Sequence, residues 1–419
     1  MHIDSRPALI ESRLGADVLA VSLLLIFITG AVTLSLMPIV ADDLQGRFGF
    51  SSADIGLLTS VFMGFYGVAG ISSGVFAARW GGRLLAVSCA CFVVGSVIFG
   101  LSSSLTGFMI GRGIQGIGGG MVITTSSPVL AYALAPERRA RAWGILGSGW
   151  GLGSMAALLI LPTIEKAGGF RAVFFTTAAL GLVVGIPALS QKAVRGLPQH
   201  PAGTTSLRGL ARSFGSVVKN YRVLLVGFVN TAALAVGVTM LAWAPRFLED
   251  THGASKAVSL YLVAGLGAAQ FIGNPLGAGA TARWGKYLVL VGSLLIMTAV
   301  AALAGIVPGI TLVFGMVVVA GFFSMFFFPA MMGYIPEIVK KPQEVGPATG
   351  ITTVMGFAGS LVAPWLFGRI LDVGGRSAHS YLGGFLMLAA FPVAAVIGML
   401  FFRRDVVTGH PGTPPRSPG

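Results

Sequence analysis

Charge is what this chain has least of. Asp, Glu, Lys and Arg make up 10% of its 419 residues, and hydrophobic residues make up 55%. A soluble domain carries roughly 25% charge, so most of this chain cannot face water. The acids are scarcest where a proton-coupled carrier would need them. Asp4, Glu11, Asp17, Asp42, Asp43, Asp54, Glu137, Glu165, Glu249, Asp250, Glu337, Glu344, Asp372 and Asp405 all lie in tails, in loops or at the ends of apolar runs. A carboxylate at mid-membrane is therefore not to be expected, and the five histidines also fall outside the apolar runs. Cysteine is nearly absent. Cys89 and Cys91 point to different faces of one apolar run and match neither a redox pair nor a zinc pattern, so both read as packing residues. There is no Gly-x-x-x-x-Gly-Lys-Ser/Thr loop and no metal-spaced His/Cys cluster, so neither an enzyme nor a cofactor is expected.

What is present in excess is apolar sequence, 61 glycines and a net charge of +14. Small residues let membrane helices approach closely where lipid gives no hydrophobic drive between them. The positive charge sits in short loops between apolar runs, which points to membrane orientation rather than to nucleic acid. One such loop is duplicated. Gly74-Val-Phe-Ala-Ala-Arg79-Trp80-Gly81-Gly82-Arg83 comes back 204 positions later as Ala278-Gly-Ala-Thr-Ala-Arg283-Trp284-Gly285-Lys286. A charged turn recurring at matching places between long apolar runs indicates a repeated membrane unit.

At about 20 apolar residues per crossing, the first half holds spans near 18–40, 54–78, 84–103, 106–135, 142–162 and 171–190. The second holds spans near 222–245, 257–282, 287–307, 310–333, 347–371 and 381–402. The first run is too long for a signal-peptide core and is expected to be retained, with Asp42 and Asp43 ending it. Residues 1–17 read as a cytoplasmic tail and 18–190 and 222–402 as two six-helix bundles. Residues 191–221 read as a basic, proline-containing linker, and 403–419 as a disordered tail. Within the linker, Leu207, Leu210, Phe214 and Val217 recur at helical spacing, so a surface helix and a disordered segment both remain open. With both termini cytoplasmic, twenty of the 28 basic residues lie inside and seven outside, Arg112 being the other. That asymmetry favours this topology over its inverse, and a monomer in the lipid of the cytoplasmic (inner) membrane is expected.

Several motifs occur in a consistent order. Besides the duplicated hairpin, they are Arg112-Gly-Ile-Gln115-Gly116 in span 4, Pro136-Glu137 through Arg141 between spans 4 and 5, Phe170-Arg171 at the start of span 6, and the glycines 346, 350, 356, 359 and 368 around Pro364 in span 11. Together they resemble the major facilitator superfamily of secondary transporters over about residues 16–404. The resemblance implies an all-α polytopic membrane protein whose twelve helices form two pseudo-symmetric bundles around a central cavity, open alternately to either side. Two features depart from the family pattern. Ala78 and Ala282 stand where members usually carry Asp, so Glu137 and Glu337 are the candidate counter-charges for Arg79, Arg83, Arg283 or Lys286, with Arg141 beside them; a helix-start role for both acids is the alternative. The glycine string from Gly147 to Met155 in span 5 lacks the proline of drug–proton antiporters.

Arg112 is the one charge read at membrane depth, and its repeat partner is Met316. A cation there costs several kcal/mol unless paired or wet. It is expected either to bind an anionic group of a solute or to brace helix 1 through Asp42 or Asp43. The other candidate solute contacts are Thr29, Thr33, Tyr66, Gln115, Asn230, Gln270 and Asn274, each of which could instead bond one helix to another. Tyr66 and Gln270 are again 204 apart, which favours them as a pair facing the cavity from opposite halves. The run from Phe322 to Met332 could wall an adaptable cavity or face lipid. The expected function is a symporter, antiporter or exchanger for a small organic anion. An exporter of amphipathic drugs or lipids, and a sensor that kept the fold and lost transport, are the alternatives.

Overall fold

A computed structural model describes residues 23–28, 35–80, 83–133, 136–190, 215–339 and 344–408. The described residues form helices and no strands, as an apolar chain in lipid must when every backbone group needs an internal partner. The first half contains α1 (Leu36–Phe48), α2 (Ser52–Trp80), α3 (Arg83–Leu101) and α4 (Leu105–Ala133). It ends with the stretch Pro136–Ser190, which Gly169 at φ 68° and ψ −170° breaks into α5 (136–168) and α6 (170–190). Glycine is needed at that break because an L side chain rarely adopts such a φ, and a Cβ there would also meet Asp43 and Arg47. The second half runs α7 (Tyr221–His252), α8 (Lys256–Trp284), α9 (Lys286–Ala304), α10 (Ile310–Ile338, with a turn at Phe327), α11 (Val345–Gly374) and α12 (Ala378–Thr408). Eight of the described helices are long and apolar enough to cross a membrane.

The two halves meet chiefly along α2 against α11 and α5 against α8. At the α5–α8 crossing, a Cβ on Gly151 would stand 2.5 Å from the carbonyl oxygen of Gly267, so only glycine permits the approach.

Helix ends differ from the sequence expectation in several places, and α12 for one runs on to Thr408, through the first residues of the stretch read as a disordered tail. The first helix does not stop at Asp42 and Asp43 but continues through them to Phe48, with Gly49 as a left-handed cap. Both acids are occupied: Asp43 pairs with Arg47 one turn on and accepts from the Phe170 N–H at 2.8 Å, while Asp42 pairs with Arg246. Similarly α7 passes Pro245 and runs to His252. A proline costs one hydrogen bond there, and the extra turns are held by Arg246 and by the Tyr381 hydroxyl, which donates to Asp250 at 2.6 Å. The tails at 1–17 and 409–419 and most of the linker, including Leu207, Leu210 and Phe214, lie outside the described residues. Val217, at its end, is buried.

Candidate solute cavity and the latch above it

Charged residues that cross between the halves gather at one end of the molecule. Arg246 of α7 pairs with Asp42 of α1, and these positions are 204 apart, so the two repeats touch at equivalent points on their pseudo-twofold axis. Lys256 at the start of α8 reaches Asp42 at 3.3 Å and Glu165 of α5 at 3.1 Å. Gln45 accepts from Arg246 at 2.8 Å and from Arg376 at 2.9 Å.

The N-terminus of α2 is capped across the interface. Its first free N–H groups, on Ser52 and Ala53, donate to Asp372 of α11 at 2.9 Å each. The third, on Asp54, donates to the Ser51 hydroxyl, whose own proton goes back to the Asp54 carboxylate. This reciprocal box and the borrowed carboxylate satisfy donors that would otherwise be orphaned, and a negative charge suits the positive end of the helix. Ser52 and Lys256 are again 204 apart. Each half thus presents a helix start to a carboxylate of the other. Below this latch an aromatic plug stiffens each half: Phe48, Phe99, Phe108, Phe170 and Phe174 in the first, and Phe247, Phe367, Tyr381 and Phe385 in the second.

Between the halves, near the middle of each contributing helix, lies a cavity of about 20 Å³. It is lined by Met63, Trp150, Leu234, Gly237, Val238, Gln270, Ser324, Met325 and Phe357, none of them charged. Tyr66 packs behind it, 4.4 Å from the Phe357 ring and 5.8 Å edge-on to Trp150. Gln270, its repeat equivalent, is on the cavity wall and donates to Ser324 at 3.2 Å. Of the Phe/Met run on α10, Met325 reaches the cavity, Phe327 is buried, and Phe322, Phe323 and Phe326 stack on one another. A broader, open hollow of about 680 Å³ lies at the latch end beside Asp42, Asp43, Arg47 and Glu165. Its surface position and mixed charge make it part of the latch, not a solute site.

Arg112 lies elsewhere. It is 0% exposed and sits inside the first half, where its Nε donates to the Leu58 carbonyl at 3.3 Å, its Nη1 to Gln115 at 3.1 Å, and its guanidinium stands 4.7 Å from the Phe62 ring centre. Gln115 passes the chain on to Ser96 at 2.8 Å, and Ser96 donates to Thr177 at 3.1 Å, the Thr177 proton going to the Phe174 carbonyl at 2.8 Å. One polar thread therefore ties α2, α4, α3 and α6. Neither Arg112 nor Gln115 lines the cavity. Asn230 donates to the Thr352 carbonyl at 3.1 Å, joining α7 to α11, and Asn274 is buried on α8. Thr29 and Thr33 lie outside the described residues.

At the opposite end, Lys286 and Glu337 form an ion pair within the second half. Arg83 and Arg283 are exposed, and the side chains of Arg79, Glu137 and Arg141 lie outside the described residues. Among the described residues, every ion pair that crosses between the halves belongs to the latch end. Sequence reasoning missed Trp150 as a cavity residue and Asp42, Asp372 and Glu165 as cross-half contacts. A tryptophan within the glycine string of span 5 was the available signal for the first. The repeat spacing of Asp42 and Arg246 was the signal for the second.

Two repeat-related helical bundles, a cavity at their shared mid-depth and a seal at one end define a multi-pass membrane carrier. The sequence model of the Major Facilitator Superfamily matches residues 19–269 and 224–418, and the chain belongs to that family. A relative from Cupriavidus pinatubonensis, named "Probable 4-methylmuconolactone transporter", is 25% identical over 368 residues, covering 84% of this chain and 82% of its own. A second, the "Multidrug resistance protein MdtL" of Salmonella paratyphi B, is 24% identical over 76% of this chain and 80% of its own. Among solved structures, a bacterial homologue of the human lysosomal transporter Spinster, in an inward-facing and unoccupied conformation, superposes with a TM-score of 0.74. At 18% identity, over 96% of this chain and 99% of that one, it shows a shared fold.

Proposed function

We propose that this transporter is a secondary active carrier of a small organic solute, working by alternating access through the cavity between its halves. Either an ion gradient or exchange supplies the energy. The observation that carries this reading is the cluster of cross-half contacts that, among the described residues, gathers at one end. Ion pairs and a borrowed helix cap seal one end of the interface, and the cavity lies beneath them. Parting that latch exposes the cavity to its side, and restoring it with the halves rocked apart at the other end exposes it to the opposite side. With both termini cytoplasmic, the latch is external and the conformation described is the one closed to the outside.

A second reading, a small organic anion, keeps Arg112 as counter-charge because, among the described residues, it is the fully buried cation of the first half. It requires the guanidinium to turn from Leu58 and Gln115 toward the cavity. The methionine-lined wall is compatible with an amphipathic exporter, since methionine adapts its shape at low cost.

Counterflow into proteoliposomes tests these readings. Vesicles preloaded with benzamide, benzoate or tetraphenylphosphonium are offered the labelled compound outside. Protein-dependent accumulation of any one supports a carrier, and its charge selects among the solute classes. Folded protein with no flux for all three, and none for a wider panel of organic solutes, leaves the sensor reading.

A further inference from the structure

Two residues of the cavity wall each carry a buried polar atom that lacks a hydrogen-bond partner among the described residues. The indole N–H of Trp150 and the Oε1 of Gln270 are both shut off from solvent, and neither has a hydrogen-bond partner among the described residues. Gln270 is 2% exposed, and both residues line the cavity, one from each half. The neighbour of Gln270 fixes which end of its amide is left over. Ser324 has a single hydroxyl proton and donates it to the Gly321 carbonyl at 2.7 Å, so toward Gln270 its oxygen can only accept. The atom it meets is therefore the NH2, and the carbonyl oxygen is the unsatisfied one. Tyr66, edge-on to Trp150, holds the indole plane, and the glycine contact between Gly151 and Gly267 locks α5 against α8.

A buried polar atom without a partner is costly, and native structures keep few of them. Here one donor and one acceptor, opposite in sense, belong to two residues that line the same apolar space. A ligand group that accepts and donates at adjacent atoms satisfies both. Among the described residues no lining side chain is charged, so a net charge placed in the cavity would find no counter-ion among them. The remaining wall is aromatic and thioether surface from Phe357, Met63 and Met325, which suits a ring. Resting on the carrier reading above, we infer that this cavity selects an uncharged cyclic solute bearing a carboxamide or lactam group. Its C=O accepts from the Trp150 indole N–H, and its N–H donates to Gln270 Oε1. At about 20 Å³ the space described holds no more than one water, so the solute enters as Met63 and Met325 swing aside or the halves part.

The test uses purified full-length protein and four probes: benzamide, which has donor and acceptor; acetophenone, which has the acceptor alone; benzoate, which is charged; and cyclohexanecarboxamide, which keeps the amide on a saturated ring. Titration calorimetry is run on the wild type, Trp150→Phe and Gln270→Met. Gln270→Met is close to isosteric and gives up only the bond to Ser324, and Trp150→Phe keeps an aromatic ring against Tyr66, so ligand-free melting temperatures near that of the wild type confirm folding. Benzamide is expected to bind about tenfold more tightly than acetophenone and benzoate in the wild type, the worth of one buried hydrogen bond. Gln270→Met is expected to abolish the preference over acetophenone, and Trp150→Phe to weaken both compounds about equally. Cyclohexanecarboxamide should keep the amide dependence. The inference is overturned if benzamide does not bind at millimolar concentration, if benzoate binds as well or better, or if the two variants bind benzamide as the wild type does. Counterflow of labelled benzamide in the same preparations separates the two proposals. Amide-selective binding without flux would remove the carrier reading and leave the site, and flux without amide selectivity would do the reverse.

Discussion

The interface between the halves obeys the repeat, whereas the interiors of the two halves do not. Across the interface, Asp42 meets its own equivalent Arg246, helix starts at the equivalent residues Ser52 and Lys256 each meet a carboxylate from the other half, and Gln270 is on the cavity wall while its equivalent Tyr66 packs behind it. Inside the first half, Arg112, Gln115 and Ser96 form a polar thread, but their counterparts in the second half are Met316, Val319 and Val300. Two packed repeats must present matching surfaces to each other, and each is free to fill its own core differently. The comparison separates two roles: positions on the axis set how the halves open and close, and the buried thread sets how rigid the first half is while they do so.

The largest effect is expected from making the first half resemble the second. Arg112→Met removes a charged donor from the Leu58 carbonyl and from Gln115, and should cost roughly 2–4 kcal/mol, as buried acceptors lose partners they cannot replace in lipid. Thermal unfolding in nanodiscs reads it. Adding Gln115→Val should recover a good part of the loss, because replacing both partners is cheaper than stranding one. Failure to recover would mean that Arg112 acts outside the thread, as the anion reading requires.

Next comes the axis pair. Asp42→Arg sets like charges against Arg246 and Lys256, and should lower closure of the latch strongly. Arg246→Asp in the same protein should restore it, because the two positions are equivalent by the repeat. A smaller effect is expected at Gly151→Ala, whose new Cβ would press on the Gly267 carbonyl and the Phe271 amide. About 1–3 kcal/mol of overpacking should slow counterflow without unfolding either half. Smallest is Lys286→Gln. This exposed pair with Glu337 lies within one half, so stability should change by less than ~1 kcal/mol, as melting would show.

Much of this architecture was legible in the sequence because lipid leaves so few options: apolar runs of about 20 residues must be helices, and a duplicated hairpin must be a duplicated unit. The repeat spacing also pointed to Tyr66 and Gln270 as a pair facing the cavity, and of the two Gln270 is on its wall while Tyr66 lies behind. What it did not expose was charge partnering. Asp42 and Asp43 read as helix stops because acids usually leave the membrane, yet Asp42 pairs with Arg246 on a distant helix, Asp43 pairs with Arg47 and accepts from the Phe170 N–H, and the helix runs through. Asp372 capping α2 joins residues some 320 positions apart and carries no local signature. Trp150 was passed over because the glycines on either side drew attention to backbone packing.

The central claim is that the Asp42-centred latch holds one end of the carrier shut, and electron-electron spin distances test it most directly. Cys89 and Cys91 are first replaced by serine. Labels at Leu101 and Val373 then report the latch end from the two halves, and labels at Arg83 and Leu288 report the other end, all four positions being exposed. In Asp42→Arg the Leu101–Val373 distance should lengthen and the Arg83–Leu288 distance shorten, with both returning toward the wild-type distributions when Arg246→Asp is added. Distributions that do not move in Asp42→Arg, or that move and are not restored by the second substitution, would contradict the account.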